Sequence, residues 1–106
     1  MVGFRQFDVF PNPSPGWRKS RPYLIVLQSD QLDELGSTIV APLADTSKLK
    51  AFERLTPEVS VLGKKLMIVT QELGAFPAQA VKQGVANLGN ERYNIIGALD
   101  LLFTGI

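Results

Sequence analysis

The chain contains no histidine and no cysteine. Without cysteine there is no disulfide, no thiolate nucleophile and no sulfur ligand for zinc; without histidine there is no imidazole base and no His-based triad. Site chemistry is left to carboxylates, Lys, Arg, Tyr, Ser and Thr, a set that favours a binder over an enzyme. A Gly-rich phosphate loop and a Gly-x-Ser-x-Gly nucleophile elbow are also missing. No apolar run reaches the length of a spanning helix, and the N-terminus lacks a basic-then-apolar leader pattern. A cytoplasmic protein with no membrane partner is expected. The net charge is only +1, which gives no electrostatic reason for direct nucleic-acid contact. No catalytic residue, metal site or cofactor is expected.

The 106 residues, 45% of them hydrophobic and 20% charged, fit a single domain over 1–106. Charge is distributed unevenly. Residues 1–22 carry Arg5, Arg18, Lys19 and Arg21 against Asp8 alone. Arg18, Lys19 and Arg21 read either as a phosphate contact or as ordinary basic residues of a solvated loop.

Residues 4–10 read as a first strand, with Phe7 and Val9 at period two. Pro11, Pro13, Pro15 and Gly16 then break regular structure, leaving a stiff surface loop to Pro22 or a short extended recognition segment. Residues 23–28 form an apolar run suited to a central strand. Residues 38–43 form another, in which Pro42 marks an edge or a bulge. Residues 59–62 and 66–69 flank Gly63-Lys64-Lys65 as a hairpin, and Phe52 suggests a further short strand. From Gly74 onward alanines and turn residues replace the β-branched runs.

The last segment reads as a helix, with Asn90 at its N-cap and Glu91 in the first turn. Ile95, Ile96, Leu99, Leu102 and Phe103 recur on one apolar face, and Tyr93, Gly97, Asp100 and Thr104 on another. Gly105 ends the helix. The expected architecture is mainly β with a C-terminal α-helix: about five antiparallel strands in a small half-open barrel.

Asp30, Asp33 and Glu34 could hold a hard cation or form a solvated acidic turn, although an EF-hand spacing is absent. An Arg with a carboxylate could cleave RNA by general acid–base chemistry. The tail admits two readings. Leu102 and Phe103 fill the core, or the helix end and Ile106 belong to an interface; Leu99 and Leu102 are assigned to the core.

Three blocks in order carry a resemblance: Gln28-Ser29-Asp30 with Asp33, Val40-Ala41-Pro42-Leu43-Ala44, and Ala98 through Ile106 (Ala-Leu-Asp-Leu-Leu-Phe-Thr-Gly-Ile). Over nearly the whole chain they resemble the CcdB family of toxins. The resemblance implies an SH3-like barrel shared with MazF and Kid, a homodimer, and a toxin–antitoxin module with a labile cognate antitoxin. It also implies a poison that binds the A subunit of DNA gyrase and traps the enzyme on cleaved DNA. The family's gyrase-contacting positions fall on Gln31, Leu32, Asp100, Phe103, Thr104, Gly105 and Ile106. Three depart from the family pattern: Gln31 replaces isoleucine, Asp100 replaces asparagine, and Thr104 replaces the hallmark tryptophan. The same fold with lost or retuned gyrase activity is therefore an alternative, as is a MazF-like endoribonuclease. The proline-rich loop at 11–16 is longer than in the family pattern, and the chain's only tryptophan, Trp17, follows it.

Overall fold

Strand β3 (Ser37–Asp45) organises the sheet, and its proline explains how. The computed structural model describes residues 3–106; residues 1 and 2 of the expected 1–106 domain lie outside the described residues. One side of β3 pairs antiparallel with β2 (Tyr23–Val26) from Val40 to Leu43. Its other side is divided between two partners. β6 (Gly74–Pro77) takes Ser37 to Val40, and β5 (Lys64–Ile68) takes Leu43 to Asp45. Ala41 and Pro42 fall in the gap. The Pro42 carbonyl faces that side and accepts a 2.8 Å hydrogen bond from the Val69 N–H. In antiparallel pairing the N–H and C=O of a residue point the same way, so the N–H that proline lacks would have met no strand. Pro42 is thus buried in a central strand, not at an edge or a bulge.

β1 (Asp8–Pro11) extends the sheet beyond β2, and β4 (Glu58–Val61) lies beyond β5. A two-residue β7 (Ala86–Asn87) borders β1. The hydrogen-bonded order β4-β5-β3-β2-β1-β7, with β6 on β3, makes a nearly closed antiparallel barrel finished by helix α1 (Arg92–Thr104). The first five strands correspond to the sequence expectation; β6 and β7 add two short ones.

Alternating residues of β1 and β2 feed two apolar clusters. Val9 and Ile25 face the main core with Leu43, Leu66, Ile68 and Ile95, while Phe10, Leu24 and Val26 pack behind the sheet against Phe76. Burial on both faces is why 23–28 reads as an unbroken apolar run. The Phe10 and Phe76 rings meet tilted, 5.7 Å between centroids.

Several expectations require correction. The first strand starts at Asp8 because Phe7 takes a φ of +71° and turns the chain, its buried ring lying under the Arg92 guanidinium. Phe52 belongs to no strand. Its carbonyl accepts from the Leu55 and Thr56 N–H groups, closing a turn, and its ring is exposed. The β4–β5 hairpin turns on Leu62-Gly63, both at positive φ, and Lys64 and Lys65 already belong to β5. Asn90 is not the N-cap. It lies in a 3-10 turn, Gly89–Glu91, and Glu91 takes the cap position without a side-chain bond. The buried Leu88 carbonyl receives the Glu91 N–H instead. Among the described residues no helix is long and apolar enough to cross a membrane.

Candidate functional site

The helix that closes the barrel also supplies its least covered surface. Ile95 and Ala98 are buried, and Ile96 and Leu99 lean half-buried on the main core. Leu102 is half-buried, and Phe103 is 68% exposed. Core filling by Leu99 and Leu102 is therefore partial, and by Phe103 absent, because the last helical turn runs past the side chains it would pack against. Ile106 is 77% exposed. Large apolar side chains left this open are the informative exceptions on a folded surface.

The helix end is locally well built. Gly105 takes the left-handed conformation at φ +77°, and its N–H donates to the Leu101 carbonyl at 3.0 Å, as a glycine C-cap does. The Thr104 hydroxyl turns back and donates to the Asp100 carbonyl at 2.6 Å. Thr104 therefore spends its polar group on the helix and offers no broad face to a partner.

Tyr93, Gly97, Asp100 and Ile106 line one open groove of about 770 Å³ along the solvent side of α1. Arg54, from the loop between β3 and β4, forms the opposite wall, and its Nη2 donates to the Ile106 main-chain oxygen. The face predicted from spacing is thus real for Tyr93, Gly97 and Asp100, whereas Thr104 stands outside the groove lining. Arg54 escaped the sequence reading. It is 52 residues from its contact, and no local pattern signals so distant a pairing.

Gln31 and Leu32 occupy a separate place, the exposed 3-10 turn Asp30–Leu32. That turn is fastened by its own polar groups. Ser29 Oγ accepts from the Gln31 N–H, and Asp30 Oδ1 accepts from the Gln6 N–H at 2.8 Å. Gln6 in turn accepts from Arg92 Nη1 at 3.2 Å. The link runs to Arg92 in the first turn of α1, while Phe103 and Thr104 stand in its last turn, roughly 17 Å further along the axis. One chain therefore does not gather the two groups of candidate residues. Among the described residues no three His, Cys, Asp or Glu side chains stand together to hold a metal ion.

The basic loop is occupied internally. Arg18 Nε donates to the Asn12 carbonyl at 3.0 Å, and Arg21 makes two 2.8 Å bonds to the Glu72 carboxylate. Those bonds raise the Arg21 pKa above its ordinary value and hold Glu72 below the usual carboxylate range. Of the three clustered cations only Lys19 has no such partner in the described structure. The phosphate-contact reading loses its two guanidiniums to the loop's own scaffold.

The family model described as CcdB protein matches residues 6–105. The match covers the barrel, the 3-10 turn and the helix end together, and the chain belongs to the CcdB family.

Proposed function

We propose that this CcdB-family chain is the toxin of a toxin–antitoxin module. It binds the A subunit of DNA gyrase, traps the cleaved DNA complex and is neutralised by a cognate antitoxin. The family match over residues 6–105 carries the reading, and the uncovered Phe103 and Ile106 supply apolar surface for such a contact. The protein acts by occupancy in the cytoplasm, where gyrase works, and catalyses nothing itself. Gln31, Leu32, Asp100, Phe103, Thr104, Gly105 and Ile106 form the gyrase-contacting set. Residues 1–106 make one protomer of a homodimer, and the second copy supplies the other half of a surface that one chain leaves divided. Opposite charges along the groove, Arg54 and Arg92 against Asp100, suit a self-complementary two-fold contact.

A supercoiling and DNA-cleavage assay with purified gyrase tests the reading. The intact protein should accumulate cleaved DNA. Deletion of residues 104–106 should abolish both cleavage trapping and toxicity, with the circular dichroism spectrum unchanged. A truncated protein as toxic as the intact one would overturn the proposal. A second reading, retuned gyrase activity, rests on Thr104, whose hydroxyl is tied to Asp100 where the family pattern has an aromatic anchor.

A further inference from the structure

We propose that Arg54 is a positioning residue that clamps the tail at Gly105-Ile106 in the orientation that meets gyrase; the second half of that statement rests on the function proposed above. The turn that carries Arg54 is built to present it. Phe52 O accepts from the N–H groups of Leu55 and Thr56 and from the Thr56 hydroxyl, and the Phe52 N–H donates back to Thr56 Oγ1 at 2.8 Å. Thr56 is buried, so this lock is anchored in the fold. At the turn's tip Arg54 adopts φ +69°, a conformation that costs any residue with a Cβ and that persists where the surroundings impose it.

The extended side chain reaches across the groove to the Ile106 main-chain oxygen. Little else fixes that residue. Gly105 is conformationally permissive, its N–H bonds to the Leu101 carbonyl, and the Ile106 side chain is too exposed for packing to hold it. Among the described residues Arg54 pairs with no Asp or Glu side chain, so its guanidinium is left to the tail. A tail held in one orientation loses less freedom on binding, and preorganisation of this kind appears as affinity.

The test compares wild type, Arg54→Ala, Arg54→Lys and Arg54→Gly. In the free protein, backbone ¹⁵N relaxation reads the mobility of the Gly105 and Ile106 amides. Wild type should be ordered there, Ala and Gly mobile, and Lys intermediate. Titration with gyrase A subunit should give about tenfold weaker binding for Ala and Gly, with Lys within about threefold of wild type. Arg54→Gly also relieves the strained φ, so its thermal midpoint should hold or rise while its affinity falls, which separates positioning from folding. Equal tail mobility in wild type and Arg54→Ala would overturn the clamp. Unchanged gyrase affinity despite a mobilised tail would overturn its role in binding. A wild type that is ordered at the tail yet does not bind gyrase would sink the proposed function and leave the clamp standing.

Discussion

The proline-rich loop at 11–22 and the segment at 100–106 both carry side chains of the kind that contact partners, and the fold treats them oppositely. In the loop the Asn12, Arg18 and Arg21 side chains are consumed within the chain. Asn12, only 2% exposed, donates through Nδ2 to the Arg21 carbonyl and accepts the Ser14 N–H at Oδ1; its own N–H goes to Pro22. Arg18 and Arg21 complete the staple. In the tail the Gly105 cap and the Thr104 back-bond close the helix end, but the large apolar side chains are not covered. Charge and aromatic content alone do not separate the two regions. Accounting for each group's partner does: internal hydrogen bonds build the loop, where Trp17 is 40% exposed, whereas Phe103 and Ile106 are left 68% and 77% exposed.

The largest expected effect strikes the loop side of that contrast. Asn12→Ala leaves the Arg21 carbonyl and the Ser14 N–H without their partners, and losing these two part-buried bonds costs about 2 kcal/mol. Urea denaturation should report that loss, while gyrase affinity of the folded protein stays at the wild-type value. A large affinity change at undiminished stability would reverse the roles assigned to loop and tail.

The next effect strikes the tail. Thr104→Trp removes one solvent-exposed hydroxyl bond and adds a broad aromatic face, the type of anchor that dominates interfaces at about 2 kcal/mol or more. Gyrase A binding should tighten about thirtyfold, with the urea midpoint nearly unmoved. No gain in affinity would mean that the last helical turn does not face the partner.

Much of this contrast was legible in the sequence, and the illegible part has physical causes. The strands at 23–26 and 37–45 announce themselves because their apolar residues are β-branched or long and are buried on two faces. β6 is invisible because Gly74-Ala75-Phe76-Pro77 has neither alternation nor β propensity; it is a strand only because β3 offers it unpaired groups. Pro42 misleads for a related reason. A proline in a strand points to an edge, and the gap between β5 and β6 imitates an edge inside the sheet. Phe103 continues the apolar periodicity of α1, but periodicity says nothing about where the packing partner ends. Arg54 carried no signal, since its contact depends on a strained backbone and a locked turn. The family resemblance pointed to residues at the helix end, and the bonding of Thr104 and Gly105 then defined what each can offer.

The smallest effect tests whether the loop's ion pair is scaffold. Hydrogen bonds from Arg21 hold the Glu72 carboxyl below its ordinary 4.5, so folding favours the ionised form. Its contribution is complete above the unfolded-state value and is lost as pH falls through the lower native one. The same bonds raise the Arg21 pKa above its ordinary value; its contribution is present throughout the acid and neutral range and adds no acid dependence. The Glu72 side chain is 34% exposed, so solvent screening keeps the pair near about 1 kcal/mol or less. Asp45 is also held low, by the Ser47 N–H and hydroxyl, and it destabilises the fold in acid with the same sign. Comparison with Glu72→Gln isolates the pair. Urea midpoints of the two proteins should differ at neutral pH and converge as the pH drops well below about 4.5, where a protonated Glu72 and the substituted glutamine are near equivalents. A gap that persists undiminished in acid would show that Glu72 acts through packing, and a change in gyrase affinity at neutral pH would bring the loop back into the contact surface.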